Sequence, residues 1–413
     1  MPDLYRLHCP ACTRDFTAAP ATLCPDCFYP TAIAYDLDRV RQMISREVVE
    51  ARPRDIWRYE ELLPVPGGAS RLAGVGWTPL LAAPGLGREL GAGALYLKDD
   101  AACFPTLSFK DRVVAVALAT ARSLGYEVVG CASTGNLANA VAAHAARAGL
   151  TAWILVPADL EPAKLLGTAV YGARLVRVDG NYDQVNRLCT EIAERHRWGF
   201  VNVNLRPFYA EGSKTVAFEI AEQLGWRLPD NVVVPMAGGA QLTRIARGFQ
   251  ELVQLGLVPA HPVRIFGAQA EGCSPIASAF LEGRTQVIPQ VPQTICRSLA
   301  IGDPADGHAA LQAISASGGA AGHASDPEIR RGIRLLAETE GVLGETAAGA
   351  TVAVAGQLVA EGRIGKGETT VLCITGNGLK TLECLEGHVD LGVPLAPSVA
   401  AFEARHAELA GAA

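Results

Sequence analysis

The sequence predicts an α/β fold built on mainly parallel sheet, and two observations carry that expectation. The first is an alternation of short β-rich runs with helical patterns from about residue 95 onwards. Strand-like runs fall at 95–98, 128–131, 152–156, 174–178, 232–235, 264–268 and 370–374. Helical patterns fall at 110–124, 136–148, 213–224, 241–255, 328–341 and 347–361. Right-handed crossovers between parallel neighbours then place helices on both faces. The second is that glycine-bearing segments follow several strands or just precede a helix, where open α/β sheets gather ligands.

At 413 residues the chain is too long for one compact core, so two main domains are expected. The 49% hydrophobic content supports a large buried interior. A formal charge of -6 argues against a nucleic-acid partner. No apolar run reaches the roughly 18 residues that span a bilayer, so no membrane partner is expected. Residues 1–10 lack the apolar core of a signal peptide, which predicts a cytoplasmic enzyme.

Along the chain, the first 30 residues hold Cys9-x-x-Cys12 and Cys24-x-x-Cys27. Two such pairs can supply four thiolates to one tetrahedral zinc; a redox role is the alternative. So small a segment has no core of its own, and metal binding would be its folding energy. Four thiolates leave no open position, so the zinc would be structural. The other seven cysteines (Cys103, Cys131, Cys189, Cys273, Cys296, Cys373 and Cys384) are scattered and expected to be reduced and buried. Residues 31–75 read as an arm with an amphipathic helix over residues 39–50, broken afterwards by Pro53, Pro64, Pro66 and Gly67-Gly68. The stretch 302–325, rich in Gly, Ala, Asp and Ser, is expected to be mobile.

Four segments carry chemistry. Lys110 stands in the run Pro-Thr-Leu-Ser-Phe-Lys-Asp-Arg, residues 105–112, at the start of a helical pattern. An amine attacks an aldehyde only when unprotonated, so such a lysine needs a lowered pKa or a preformed imine. Cys131-Ala132-Ser133-Thr134-Gly135-Asn136 runs from a strand into a helix. Ser133 and Thr134 can cap that helix, and its outward amides suit a carboxylate. After strand 232–235, Met236-Ala237-Gly238-Gly239-Ala240-Gln241 lets the backbone approach an anion at a helix N-terminus. No Gly-Lys-Ser/Thr follows, so this is not a Walker loop. Finally Thr375-Gly376-Asn377-Gly378 ends a strand, and the Thr375 hydroxyl can bond a pyridine nitrogen without enforcing its protonation. Taken singly, these are equally a surface lysine, a helix cap and two structural turns. Together they supply what one cofactor, pyridoxal phosphate (PLP), needs: a Schiff-base lysine, a donor to the phenolate oxygen in Asn136, a phosphate cradle and a partner for the ring nitrogen.

With these segments in order, the chain resembles the threonine synthases, PLP enzymes of fold type II (the tryptophan-synthase β fold). The resemblance spans nearly the whole length. It is carried by Ser108-Phe109-Lys110-Asp111-Arg112, Ala132-Ser133-Thr134-Gly135-Asn136, Glu211-Gly212-Ser213-Lys214-Thr215, Gln269-Ala270-Glu271-Gly272-Cys273, Glu345-Thr346-Ala347 and Thr375-Gly376-Asn377-Gly378-Leu379-Lys380. The N-terminal cysteine pairs also look like those that precede some members. The resemblance implies two open, twisted, mainly parallel sheets with helices on both faces, plus a small zinc-ribbon-like segment. The domains expected are a four-cysteine segment at 1–30, an arm at 31–75, a large PLP-binding domain at 76–115 and 210–390, a small mobile domain at 116–209 and a helical tail at 391–413. Lys110 would be the imine lysine and later the proton shuttle, with Phe109 beside the cofactor. Asn136 would meet the phenolate oxygen, Ala237, Gly238, Gly239, Ala240 and Gln241 the phosphate, and Thr375 the ring nitrogen. Ser133, Thr134 and Gly135 would hold the substrate carboxylate. Arg206 and Lys214 would meet a substrate phosphate, with Lys98, Arg244 and Arg297 as further candidates.

The reaction implied is O-phospho-L-homoserine plus water to L-threonine plus phosphate, by a homodimer. Three departures bear on the substrate. Val113 stands where a glycine often follows Lys-Asp-Arg, Leu137-Ala138-Asn139 follow Asn136 where Thr-Ser is common, and Tyr209 stands where many members carry an arginine. The alternatives are β-replacement on O-phosphoserine, as in cysteate synthase, and a threonine or serine dehydratase. From another class comes a non-catalytic binding protein that docks through Cys9–Cys27, but it would have little reason to keep Lys110, Asn136 and Thr375.

Overall fold

The computed structural model describes residues 4–16, 23–65, 71–133, 135–158, 162–180 and 182–411. Strands β1 (Tyr5–His8), β2 (Asp15–Phe16) and β3 (Ala32–Tyr35) form an antiparallel sheet in the order β2-β1-β3. Strands β4 (Leu80–Ala82) and β5 (Ala94–Asp99) open the main body. Strands β6 (Val128–Ala132), β7 (Thr151–Pro157), β8 (Arg174–Val178) and β9 (Trp198–Phe200) make an all-parallel sheet ordered β8-β7-β6-β9. Strands β10 (Asn231–Pro235), β11 (Arg264–Ala270), β12 (Ala321–Ala324) and β13 (Thr369–Ile374) join β5 and β4 in a second sheet, ordered β12-β11-β10-β13-β5-β4. Only β4 runs antiparallel there. The α/β architecture with two mainly parallel sheets is thus present, and each of the seven strand-like runs is a strand.

The six helical patterns are helices Lys110–Ser123, Asn136–Ala148, Lys214–Gln223, Ala240–Gln254, Asp326–Glu340 and Thr346–Ala360. Their burial explains their composition. Helix Lys110–Ser123 is apolar almost all round because residues 111–121 are all buried. Helices Asp326–Glu340 and Thr346–Ala360 cross so closely that a Cβ on Gly332 would lie 2.3 Å from the Gly349 carbonyl oxygen. Between β10 and β13 the strand order reverses: β11 and β12 lie on one side of β10, and β13 returns on the other. The loops leaving the carboxyl ends of β10 and β13 therefore flank a topological switch point, where such sheets form a crevice.

Buried charges lock these layers together. Arg112 donates to Asp100 at 2.8 Å and to Glu219 Oε2 at 2.8 Å, and Lys98 donates to Glu219 at 2.6 Å. Arg112, Lys98 and Glu219 are all buried. A second cluster seats the N-terminal sheet. Lys214 lies 2.8 Å from both Glu211 and Glu251 and 4.0 Å from the Tyr35 ring centroid, and Arg247 donates to the Ile33 carbonyl at 2.8 Å.

Two local expectations change. The single helix over 39–50 is two short ones, Leu37–Arg41 and Arg46–Glu50, because Ser45 is extended and caps the second by accepting from the Val48 amide. The stretch 302–325 contains helix Gly307–Ala316 and strand β12, and Ala310, Ala320, Ala321 and Ala324 are buried packing residues rather than linker. Residues 381–413 form a unit of their own from Thr381, with a short turn Leu382–Leu385 and helix Val399–Gly411. The seven scattered cysteines are buried and form no disulfide, as composition suggested. Among the described residues no helix is long and apolar enough to cross a membrane.

Candidate active site

Lys110 opens its helix at the crevice. The Phe109 amide donates to the Thr375 carbonyl at 2.9 Å, and Ser108 pairs with Gly376 in an isolated bridge. These contacts bring the lysine segment against the loop that leaves β13. Asp111 fixes the turn before it, accepting from the Thr106 amide and hydroxyl at 3.0 and 2.9 Å and from buried His144 at 3.2 Å. Lys110 Nζ donates to the Tyr209 hydroxyl at 2.9 Å. Phe109 is buried, with its ring centroid 5.5 Å from Lys110 Nζ.

The loop after β10 has the form of an anion cradle. Gly239 has φ +90°, and a Cβ there would stand 2.8 Å from the Asp306 carbonyl oxygen, so only glycine fits without strain. Nothing lies within 4 Å of where a Gly238 Cβ would be. Helix Ala240–Gln254 starts here with no side-chain cap, leaving its first amides for a ligand. Gln241 Nε2 is buried and without a hydrogen-bond partner among the described residues. An orphaned donor beside uncapped amides fits a phosphate. The Gly239→Ala variant is expected to bind PLP at least about tenfold more weakly, since backbone strain of about 1–3 kcal/mol is imposed on the cradle. A fluorescence titration of apoprotein with PLP reads this directly; an unchanged Kd would place the phosphate elsewhere.

Helix Arg206–Glu211 joins the cradle to the lysine. Arg206 donates to Asp306 at 2.6 Å, and the Asp306 amide donates to the Gly238 carbonyl at 3.0 Å. One turn later the same helix presents Tyr209 to Lys110.

Across the crevice, the side chains expected at the phenolate and the ring nitrogen meet on one carboxylate. Asn136 Nδ2 donates to Glu345 at 2.8 Å, and the Thr375 hydroxyl lies 3.4 Å from the other Glu345 oxygen. Lys380 Nζ donates to Asn136 Oδ1 at 2.9 Å. Burial raises the Glu345 carboxyl above its ordinary value, against the pull of Asn136. Burial likewise holds Lys380 below the ordinary lysine value, against the attraction of Glu345. The cap of helix Asn136–Ala148 is Gly135 without a side-chain bond, so Ser133 does not cap it. Thr134 lies outside the described residues.

The structure gathers Lys110, Phe109, Asn136 and Thr375 in one place and leaves others out. Lys214 is completely buried between Glu211 and Glu251, so its charge is spent on the fold and not offered to a substrate. Lys98 is buried on Glu219, and Arg244 lies 3.2 Å from buried Glu211. Arg206 reaches the cradle but pairs with Asp306, and Arg297 is exposed on a short turn. Sequence reasoning did not assign roles to Tyr209, Glu345 or Lys380. Glu345 and Lys380 sat in motifs already noted, which was the available signal.

Far along the chain from these residues, Cys9, Cys12, Cys24 and Cys27 place their sulfurs within 4.8 Å of one another. Cys9 and Cys27 are 3.4 Å apart and Cys12 and Cys24 are 3.5 Å apart. A tetrahedron with zinc–sulfur bonds of about 2.3 Å has sulfur–sulfur edges of about 3.8 Å, so small outward shifts accommodate the ion.

Residues 72–376 match the family model described as pyridoxal-phosphate dependent enzyme. The chain is 37% identical over 377 residues to a threonine synthase of Methanocaldococcus jannaschii, covering 90% of this chain and 92% of that one. It is 34% identical over 380 residues to a threonine synthase of Methanosarcina acetivorans, covering 91% and 92%. Among solved structures, it is similar to diaminopropionate ammonia lyase from Escherichia coli, with a TM-score of 0.64 at 20% identity, covering 76% of this chain and 88% of that one. It is also similar to threonine deaminase isoform 2 from Solanum lycopersicum, with a TM-score of 0.63 at 21% identity, covering 75% and 82%. These two likenesses concern the fold.

Proposed function

The chain belongs to the pyridoxal-phosphate-dependent enzymes, among the threonine synthases, and from that premise we propose that it converts O-phospho-L-homoserine and water to L-threonine and phosphate. The observation that carries this is likeness to threonine synthases over nine-tenths of both chains. PLP supplies an aldehyde for the substrate amine and a ring that accepts electrons from the bonds being broken.

The chain's own residues do the rest. The Gly238–Gly239 loop, the first amides of helix Ala240–Gln254 and Gln241 hold the cofactor phosphate. Asn136 and Thr375, each on a different carboxylate oxygen of Glu345, orient the ring. Ser133, Thr134 and Gly135 receive the substrate carboxylate. Lys110 would move protons at substrate Cα, Cβ and Cγ; phosphate leaves Cγ and water adds at Cβ. One mobile base suits several proton transfers better than several fixed ones. Residues 116–209 act as a smaller domain that closes and excludes stray water until the last step. The enzyme works as a cytoplasmic homodimer.

The deciding measurement is phosphate release from O-phospho-L-homoserine by holoenzyme, with amino-acid analysis of the product. Threonine and phosphate in equal amounts support the reading. No turnover by a protein with a normal PLP spectrum would sink it, and O-phosphoserine with sulfite would be tried next.

The four cysteines bind one structural zinc in this reading. All four ligands are protein thiolates, so the ion supplies folding energy and no chemistry. Purified protein is expected to carry about one zinc per chain. A Cys12→Ser variant should lose it and become sensitive to proteolysis within the first 35 residues. Metal-free protein with a protease-resistant N-terminus would refute this.

A further inference from the structure

Tyr209 is half-buried, and its hydroxyl is 2.9 Å from the Lys110 amine, the atom on which the reaction turns. We propose that Tyr209 is a positioning residue for that amine, holding it in place whenever it is not joined to the cofactor. This rests on the assignment of Lys110 as the cofactor lysine, but not on the identity of the substrate.

A lysine that is displaced and then moves protons at three carbons alternates between ammonium and amine. A phenol suits both states: its oxygen accepts a lysine N–H, as it does in this structure, and its O–H can donate to a neutral amine. A carboxylate would favour only the charged state, and a guanidinium would repel it. No proton needs to leave the phenol; the hydrogen bond only reverses its sense.

Tyr209 is itself held in place. Its helix, Arg206–Glu211, is fixed at one end by Arg206 on Asp306 at 2.6 Å. At the other end Glu211 is fully buried, 2.8 Å from Lys214 and 3.2 Å from Arg244. The helix also packs against helix Lys110–Ser123: a Cβ on Gly212 would stand 2.7 Å from Val113 Cα. The phenol is thus carried on a rigid element, at a fixed distance from the lysine helix. Because Asp306 also bonds Gly238, the same helix sets the distance between the lysine and the phosphate cradle.

The test is Tyr209→Phe, which keeps the ring and removes only the hydroxyl. Circular dichroism should be unchanged. Two readouts are taken. In the first, apoprotein is mixed with PLP and Schiff-base formation is followed by visible absorbance and borohydride trapping across pH. In the second, kcat and KM are measured with O-phospho-L-homoserine. Capture of PLP is expected to be about 10- to 100-fold slower, the usual scale for losing one hydrogen bond to a charged group, and the pH midpoint of capture should move. The value of kcat should fall by a similar factor with KM within about threefold. Capture and kcat within twofold of the parent would overturn the proposal. A rise in KM alone, with normal capture, would also overturn it and assign Tyr209 to substrate binding. If the parent captures PLP but does not turn over O-phospho-L-homoserine, slow capture by the variant still supports Tyr209, and only the substrate assignment falls.

Discussion

Lys110→Ala is expected to fold, to hold PLP only by its phosphate and ring contacts, and to lose turnover by at least about 10⁴-fold. The argument is geometric. Among the segments that converge on the crevice, Lys110 lies between the Phe109 ring and the Tyr209 phenol, on a helix that the Thr375 carbonyl anchors. Lys380 is another amine close by, but it donates to Asn136, which in turn donates to Glu345. It cannot replace a base that must reach three carbons of one substrate. Two measurements check this. Borohydride reduction followed by peptide mapping should place the cofactor on Lys110 in the parent and nowhere in the variant. Steady-state phosphate release should vanish. Cofactor trapped on Lys380 in the variant, with residual turnover, would mean that the crevice is more forgiving than its contacts suggest.

The second large effect is on stability. Glu219→Gln is expected to cost about 3–5 kcal/mol, because it leaves two buried cations with one carboxylate fewer. Glu219 receives both Lys98 and Arg112, and all three are shut from water. Burial alone would raise the Glu219 carboxyl, but Arg112 and Lys98 outweigh it and bring it down to about 2. Burial also lowers Lys98, so Lys98 can shed its proton in the variant and relieve part of the cost. The double variant Glu219→Gln with Lys98→Met should therefore recover a share of the loss. Urea unfolding of parent, both singles and the double gives the coupling as a cycle. Losses that simply add would show that the pair does not act as a unit.

The pH dependence has a definite sign. Glu219 and Glu211 are each held at about 2, below the ordinary 4.5. A depressed carboxyl stabilises the fold above its unfolded pKa, and that stabilisation is lost as pH falls towards the folded value. Stability should thus be intact above about pH 4.5 and decline between about 4.5 and 2. Glu345 works the other way: its raised pKa means that the fold takes up a proton more readily, which favours folding as pH falls. Asp99, raised by burial to about 6, and Asp55 and Glu222, also raised by burial, act in the same sense as Glu345. Asp15, Glu328 and Glu368 are lowered and act with Glu219 and Glu211, whose full burial against paired cations sets the direction. Unfolding free energies at stepped pH test the direction, and a rise below pH 4.5 would contradict it.

How much was legible beforehand can be followed residue by residue. Strands and helices of the main body were readable because short β-rich runs alternating with helical patterns leave a local signature. The glycines of the 238–239 loop and Lys110 stood out for a similar reason: a glycine pair between a strand and a helix, or a lysine that follows Pro-Thr-Leu-Ser-Phe at a helix start, marks its own segment. The split of the helix over 39–50 was missed although Ser45 stood there as a cap, since the apolar spacing on either side continued through it. The helix at Gly307–Ala316 was missed because small residues read as linker when the surfaces they pack on are unknown.

By itself, the sequence determined the layered fold and the four-cysteine cluster, and it marked Lys110 and the Gly238–Gly239 loop as the lysine and phosphate cradle proposed here, all of them written in contiguous residues. Only the tertiary structure decided which charges serve the site. Tyr209 meets Lys110 across 99 positions, Asn136 meets Glu345 across 209, and Lys380 meets Asn136 across 244. Lys214 belongs to as distinctive a motif as any, yet Glu211 and Glu251 bury it completely. A side chain's chemistry is fixed by its type, but whether its charge is offered to a ligand or neutralised in the core depends on neighbours that chain folding brings from far away. Local pattern carries no record of them.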